Sequence, residues 1–313
     1  MGELEQAISD YLASVRARGG SPRTLGSYSD VLIKLFLPWA QAGGISSPRE
    51  LNQQILDRFN SDLLERVSER TGRPLSRASV ASYLGSLRAF LKWAERDGTL
   101  SNGLRVQYVR VPRKVLDTLS RAEMSEMESA ASAERDKLII RILSDAGLRL
   151  GELLALTPQN LVENGRDRYL SIQERTRGGG AKGRSARLVP ITPAVYRRLK
   201  RFAEKGRPTD MVGNRIFISL RRRGSGLYEP LKAKAVVVML QAVSETAGIR
   251  KPVNPHAFRH SMATNCLRAG MNPLVLQQIL GHANLNQITN TYSHLVVGDI
   301  SQALYRALAD EPE

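Results

Sequence analysis

Apolar residues recur at helical spacing through the first hundred residues of the chain. Leu4, Ile8, Tyr11 and Val15 show this pattern, and Gly19-Gly20 marks the end of the helix that they predict. Three further amphipathic helices are predicted from Ser21-Pro22 to Gly43-Gly44, over Glu50–Ser68 with Val67 on its apolar side, and from Ser76 to Asp97-Gly98. Four such helices with short connections predict a small bundle.

The later part of the chain combines helical and strand-like patterns. Two predicted strands, Tyr169–Thr176 and Arg187–Thr192, flank a glycine-rich loop as in a hairpin. The predicted helices cover Asp136–Ala155 with a break at Gly147, Pro193–Glu204, Lys232–Gly248, and the segments that follow Asn254-Pro255, Asn272-Pro273 and Asn284 or Asn286. The expected fold class is therefore mainly α, with a small antiparallel β-sheet in the C-terminal part.

A polar-to-basic stretch without clear periodicity, Ser101–Asp117, separates the two parts. Ser120 and Glu123 then have the spacing of a capping box, which opens a new helix. We therefore expect a helical domain over residues 1–100, a linker over 101–117 and a second domain over 118–313.

Charge points to the class of partner. Lys and Arg number 46 against 30 Asp and Glu, and Arg supplies 36 of them, which gives a net charge of +16. Such a surface suits a polyanion, because neutralised phosphates release counterions. On the fourth helix and its approach, a DNA-facing surface and a solvated helix face remain equally open. The basic residues concerned are Arg73, Arg77, Arg88 and Lys92.

Other classes of protein are disfavoured. Cys266 is the single cysteine, so neither a disulfide framework nor a thiolate metal cluster is expected. The first residues carry acids and lack an unbroken apolar stretch, unlike a signal peptide. No segment approaches the roughly 20 apolar residues that cross a bilayer. We expect a cytoplasmic protein without a membrane partner.

Four segments concentrate reactive or phosphate-binding side chains. Arg149 lies in an apolar helical run, where a buried charge needs an anionic partner, and Glu152 is one turn away. The glycine-rich loop nearly matches a phosphate-binding P-loop. However, Arg184 stands where that motif needs Lys, and a strand follows instead of a helix. Lys182 at the tip of this loop could instead enter a DNA groove, where it would contact the backbone or donate a proton.

Histidines dominate the other two segments. His256 and Arg259 are three residues apart on one predicted helix and can meet one ligand. A zinc pair of His256 with His260 is disfavoured, because the glutamate of the HExxH motif is missing. Farther on, His282 is followed after ten residues by Tyr292, which alone would more often be a packing residue.

Together these side chains describe a phosphoryl-transfer site that uses no metal and no cofactor. Two guanidiniums could neutralise a phosphodiester, two imidazoles could bond its oxygens or move protons, and a lysine could protonate the leaving 5′-oxygen. A tyrosine could attack phosphorus and form a covalent intermediate. The candidate catalytic residues are Arg149, Lys182, His256, Arg259, His282 and Tyr292, with Glu152 in support.

These segments resemble the tyrosine recombinase (phage integrase) family over about residues 118–297. Ala146-Gly-Leu-Arg-Leu-Gly-Glu-Leu153 resembles its first Arg box, Ala181-Lys-Gly183 with Arg187-Leu-Val-Pro190 its β-hairpin motif, and His256-Ala-Phe-Arg-His260 its His–Arg box. Leu280-Gly-His282 and Tyr292 complete the set. The N-terminal helices resemble the family's core-binding domain.

The resemblance implies a site-specific recombinase whose two domains clamp a double-stranded DNA core site. It implies a 3′-phosphotyrosyl link, a Holliday junction, a homotetramer on DNA, and accessory or translocase proteins as possible partners. It places Tyr292 as nucleophile and Lys182 as the catalytic lysine, while Arg177 and Arg184 are further DNA-binding candidates. The terminal segment Ile300–Ala309 would dock on a neighbouring protomer or pack within its own chain.

Three positions differ from the family pattern. Ala181 replaces a glycine, Phe258 replaces a leucine, and the interval from His282 to Tyr292 is one residue longer than in Xer-type members. That interval favours an integrase or resolvase of a mobile element over a chromosome dimer resolvase. The alternatives to a recombinase are a catalytically inactive DNA-binding protein of the same fold and a type IB topoisomerase, which acts without paired sites.

Overall fold

The structure is a computed structural model that describes residues 2–68, 71–100, 103–112, 117–173, 186–222, 224 and 226–281. The described residues divide into two compact units, one ending at residue 112 and one beginning at residue 117. Within these residues the fold is mainly helical with one small antiparallel sheet, which confirms the predicted fold class.

The N-terminal unit contains the four predicted helical regions. They are α1 (Glu3–Ala17), the consecutive α2 (Pro22–Val31) and α3 (Leu37–Ala42), α4 (Gln53–Glu65) and α5 (Arg77–Asp97). Ser21 and Ser76 cap α2 and α5 by accepting from backbone amides in the first turn. Gly98 ends α5 with φ +76°, a conformation that glycine adopts without strain. The predicted ends of α1 and α5 are confirmed.

A π-helical segment, Leu32–Phe36, joins α2 to α3. Pro38 follows it and has no amide hydrogen to donate to the carbonyl four residues earlier. A wider turn before the proline lets the helix continue without that hydrogen bond. Apolar periodicity predicts one continuous helix here and does not reveal this local change.

The predicted bounds of the third helix were wrong at both ends. A 3-10 turn, Pro48–Glu50, precedes the helix, which begins after its Asn52 cap and ends at Glu65. Beyond Glu65 the chain forms a short antiparallel pairing in which Val67 faces Pro74. Val67 is 52% exposed and so does not extend the apolar face of the helix.

An aromatic cluster occupies the core of the N-terminal unit. Phe36, Phe59 and Trp39 meet with ring centroids 4.8 to 6.3 Å apart, and Tyr11 contacts Phe90 at 5.7 Å. Part of the stretch predicted as a linker packs on this unit. Val106 is buried in its core, and Gln53 exchanges two hydrogen bonds with the backbone of Arg105.

The C-terminal unit contains seven helices within the described part of residues 117–281. They are α6 (Arg121–Ala130), α7 (Glu134–Ala146), α8 (Leu150–Ala155), α9 (Pro193–Lys205), α10 (Ala233–Thr246), α11 (Pro255–Arg268) and α12 (Pro273–Leu280). The predicted capping box of Ser120 and Glu123 is present at the start of α6. The predicted break at Gly147 separates α7 from α8. Helix starts after Asn254 and Asn272 are also confirmed, because both side chains cap their helices.

Three antiparallel strands form the sheet, in the order β1 (Leu161–Asn164), β2 (Asp167–Gln173) and β3 (Ala186–Pro190). In register, Val162 pairs with Tyr169 and Ser171 with Leu188. Strand β1 was not predicted, because its four residues are too short to show a period. The predicted glycine-rich connection between β2 and β3 lies outside the described residues.

Candidate active site

Gly147 makes the sharp turn that brings Arg149 to the start of α8. Its φ of +57° lies in the left-handed region, and an added Cβ would come within 3.1 Å of side-chain atoms of Leu280 and Met262. The backbone conformation therefore favours glycine, and any side chain here would also push these two neighbours aside by a few tenths of an ångström. Arg149 follows as the N-cap residue of α8, outside the helix proper.

The side chain of Arg149 is 47% exposed, so the expectation of a buried arginine inside a helical run was wrong. Its predicted partner is confirmed, since Nη1 lies 2.8 Å from Glu152 Oε1. Its Nη2 donates to the carbonyl of Gly281 at 2.8 Å. The half-exposed guanidinium is thus oriented by two acceptors while part of it still faces solvent.

Glu152 joins two arginines. Its Oε2 accepts from the backbone amide of Arg149 at 2.8 Å and from Arg187 Nη2 at 2.7 Å. Burial raises the pKa of Glu152, but the hydrogen bond from Arg187 and those from Arg149 outweigh it and hold the pKa below its usual range. The carboxylate therefore stays ionised and fixes both guanidiniums.

Arg259 is only 6% exposed on α11. Its Nη1 donates to the carbonyl of Gly147 and its Nη2 to that of Leu280, both at 2.6 Å. His256 lies in the first turn of the same helix and is exposed. The predicted spacing of His256 and Arg259 is thus realised on one helix, with the histidine outside and the arginine inside.

The C-terminal end of α12 is where these side chains converge. Arg187 donates to the carbonyl of Ile279 at 2.9 Å, Arg259 to that of Leu280 and Arg149 to that of Gly281. Carbonyls at a helix C-terminus lack intrahelical partners and carry the negative end of the helix dipole, so cations are favoured there. The three guanidiniums are accompanied by the carboxylate of Glu152, which leaves this set of side chains with a net positive charge suited to a phosphate.

Arg187 is the residue of this cluster to which the sequence assigned no role. Its position within the β-hairpin motif was the only available signal. It lies on β3 and contacts both Glu152 and α12. Long-range contacts of this kind depend on how β3, α8 and α12 pack and cannot be read from local spacing.

Several candidate residues lie outside the described part of the chain. These are Arg177, Lys182, Arg184, His282, Tyr292 and the terminal segment Ile300–Ala309. Their predicted roles therefore stay predictions.

In the N-terminal unit, Arg73, Arg77 and Lys92 are exposed. Arg88 is partly buried, and its guanidinium carbon lies 3.9 Å from the ring centroid of Tyr108, a cation–π contact. Tyr108 itself is 83% exposed. The four basic residues therefore differ in how freely they can meet a polyanion.

Metal ligands do not cluster in the described residues: no group of three or more His, Cys, Asp or Glu side chains there could hold a metal ion. Among the helices within residues 2–281 that the structure describes, none combines the length and apolarity needed to cross a membrane.

Comparison with known proteins shows to which protein family the chain is similar. The model of the phage integrase family matches residues 117–297, and that of the phage integrase N-terminal SAM-like domain matches residues 8–98. A tyrosine recombinase of Thermosipho africanus is 30% identical over 300 residues, covering 94% of this chain and 96% of the relative. Tyrosine recombinase XerD of Listeria monocytogenes is 27% identical, covering 93% and 95%.

A solved structure shares the fold. The Tn1549 transposon integrase in complex with transposon right end DNA has a TM-score of 0.71 at 22% identity, covering 99% of this chain and 100% of that one. Both family models and the curated relatives agree with this architecture. The chain belongs to the phage integrase family, the tyrosine recombinases, which are DNA strand-transfer enzymes.

Proposed function

We propose that this chain cleaves and rejoins double-stranded DNA at specific core sites, with Tyr292 as the nucleophile. The Tyr292 oxygen attacks a backbone phosphorus, the bond from phosphorus to the 5′-oxygen breaks, and a 3′-phosphotyrosyl ester forms. The leaving 5′-oxygen takes a proton from Lys182, and His256 or His282 accepts the tyrosine proton. Attack by a 5′-hydroxyl of another strand reverses these steps and releases Tyr292.

The arginine cluster at the end of α12 carries this proposal. Arg149, at the N-cap of α8, and Arg259, on α11, donate to the adjacent carbonyls of Gly281 and Leu280. His282 is the next residue of the chain. The two predicted phosphate-binding arginines therefore hold the two residues that directly precede the predicted histidine in the sequence. Positive charge fixed in this way would stabilise the oxygens of the phosphorane-like transition state.

Binding would involve both parts of the chain. We assign residues 1–100 to a core-binding domain, 101–117 to a linker and 118–313 to the catalytic domain. Their basic candidates for phosphate contact are Arg73, Arg77, Arg88, Lys92, Arg177 and Arg184. The described members of this set lie in an N-terminal unit whose family match covers residues 8–98, which supports the division.

The assembly we propose is a homotetramer on two core sites that acts in the cytoplasm, where its DNA substrate would lie, with accessory or translocase proteins as further partners. Its role is that of a mobile-element integrase or resolvase, or of a Xer-type dimer resolvase. Curated relatives include Xer recombinases, and the structural neighbours include both a XerH recombinase and a transposon integrase. The separation of ten positions from His282 to Tyr292 favours the mobile-element role.

The proposal is tested by covalent capture from a library of random-sequence duplexes, in EDTA and without ATP. Wild-type protein should retain specific duplexes through denaturation in SDS, whereas Tyr292→Phe should bind the same duplexes reversibly and retain none. Tyr169→Phe is the matched control, because Tyr169 lies on β2 and should capture normally. Sequencing the retained DNA would give the core site. Reversible binding by the wild type without capture would identify an inactive DNA-binding protein instead.

A further inference from the structure

Arg187 joins three elements through one guanidinium. It lies on β3 with its side chain 9% exposed. Nε donates to the carbonyl of Ile279 on α12, and Nη2 donates to the carboxylate of Glu152 on α8. A planar guanidinium with divergent donors can hold a carbonyl and a carboxylate at once, whereas an ammonium is a point charge.

One acceptor of Arg187, the carboxylate of Glu152, also orients the exposed Arg149, and the other lies at the same end of α12 as the second acceptor of Arg149. Glu152 accepts from Arg149, and the carbonyl of Gly281, two residues after Ile279, also accepts from Arg149. Arg187 and Arg149 therefore hold the same two structural elements, one from inside and one from the solvent side. Arg187 thus holds Glu152, which bonds Arg149 directly, and the end of α12, which carries the second acceptor of Arg149.

Charge balance gives Arg187 a second role. If Glu152 paired with Arg149 alone, the two charges would cancel, and a phosphate would meet a neutral ion pair. With Arg187 on the other oxygen, the three side chains carry one net positive charge. Because Arg187 is buried and Arg149 is half-exposed, that charge is available to a ligand at Arg149.

Burying the charge of Arg187 costs free energy of desolvation, so a purely structural role would not account for an arginine at this position. Buried ion pairs contribute little stability compared with well-packed apolar residues, because both ions lose water. β3 could be anchored by apolar side chains, as it is at Val189, which is fully buried. An arginine at this site is explained by what it does to Glu152 and to the end of α12.

We propose that Arg187 is a positioning residue of the recombinase reaction, which fixes Glu152 and the end of α12 so that Arg149 presents a net positive charge to the scissile phosphate. This inference rests on the proposed function. Arg187 acts through Arg149 and does not touch the DNA, which distinguishes it from the residues that bind phosphate directly.

The test measures single-turnover formation of the covalent product, on a duplex recovered by the capture experiment and at saturating enzyme. Arg187→Gln should slow this step about 100-fold or more, while Kd for the duplex changes by less than about threefold. Arg187→Lys retains the positive charge but cannot hold both acceptors as the planar guanidinium does. Its cleavage rate should therefore lie between those of the wild type and Arg187→Gln. Arg168→Gln is the control, because Arg168 lies on the neighbouring β2 and pairs with Glu163 at 3.3 Å, away from this cluster.

A pH profile separates positioning from loss of fold. Among the described residues, Arg187 and Arg149 are the charged groups that lower the pKa of Glu152. Without Arg187 that pKa rises, so the acid limb of the cleavage rate should move to higher pH in Arg187→Gln and stay in place in Arg187→Lys. Rates are divided by the folded fraction measured at each pH, so that acid unfolding of a destabilised variant is not counted as movement of the limb.

Each outcome decides the matter. A wild-type rate in Arg187→Gln, or a loss that follows the folded fraction with an unmoved acid limb, would overturn the positioning role and leave the proposed function intact. Failure of the wild type to capture any duplex in the preceding experiment would reject the proposed function, and the role of Arg187 in that reaction with it.

Discussion

Particular arginines of the N-terminal and C-terminal units lie in opposite settings. In the N-terminal unit, Arg73 and Arg77 are exposed, and Arg88 lies under the exposed ring of Tyr108. In the C-terminal unit, Arg187 and Arg259 are buried and donate to main-chain carbonyls of α12. The same residue type, drawn from one arginine-rich composition, thus forms an exposed charged surface at the first set of positions and a fixed framework at the second.

The difference shows what burial does to a charged side chain. An exposed arginine is placed at little cost and contributes through a phosphate that displaces counterions. A buried one loses water worth several kcal/mol, so it persists only where acceptors replace that water in a defined geometry. Buried arginines should therefore affect stability and chemistry, whereas exposed ones should affect binding and its dependence on salt.

The largest effect is expected at Arg259. Arg259→Ala leaves the carbonyls of Gly147 and Leu280 without this donor in a buried site, and should lower the free energy of unfolding by about 3–5 kcal/mol. Exposed Arg77→Ala should change it by less than about 0.5 kcal/mol.

Urea unfolding followed by circular dichroism would measure both variants. Tryptophan fluorescence adds a report on the N-terminal unit alone, because Trp39 and Trp93, the two tryptophans of the chain, both lie there. A loss at Arg259 below about 1 kcal/mol would show that burial does not separate the two classes of arginine.

A smaller, pH-dependent effect is expected at Glu152. Its pKa is lowered in the folded state from an ordinary value of 4.5, so its contribution to stability is complete above that value and is lost as pH falls through the folded pKa. Glu152→Gln should therefore cost about 2 kcal/mol near neutral pH, because it weakens two charged hydrogen bonds.

The measurement is the difference in free energy of unfolding between wild type and Glu152→Gln, from about pH 7 to about pH 3. Other acids whose pKa is lowered, such as Glu123 and Glu134, remain in both proteins and cancel in the difference. The difference should shrink below about pH 4.5. A difference that stays constant across this range would mean that the charge of Glu152 does not act on the arginines.

Features that depend on local sequence signals could be predicted, whereas those that depend on tertiary contacts could not. Helix periods, caps and glycine stops predicted α1, α5 and the break at Gly147, because these signals are local. The π-helical segment and β1 were not predicted, because each is formed by a few residues that show no periodic pattern of apolar positions. The true end of α4 escaped because Val67 continues the apolar pattern, while the backbone pairs with Pro74 instead.

At the site, residue identities could be predicted but their surroundings could not. The pair of Arg149 and Glu152 follows from a one-turn spacing and is present. The three guanidiniums at the end of α12 reach carbonyls that lie 132, 92 and 21 positions away along the chain. Such contacts depend on tertiary packing, so neither the burial of Arg259 nor the part played by Arg187 could be anticipated.

The smallest effect is expected for the exposed basic residues of α5, and it decides whether that face of the helix binds DNA. Replacing Arg77 and Lys92 together by Gln should weaken binding to a random-sequence duplex about tenfold, and should reduce the slope of log K against log salt by about 0.9 for each phosphate that is no longer neutralised. The matched control replaces Arg16 and Arg49, which are exposed on other elements of the same unit and remove the same charge. Fluorescence anisotropy between about 50 and about 200 mM salt measures both. Equal slopes in the two double variants would show that the face of α5 is a solvated surface, and that the contrast between the units lies only in burial.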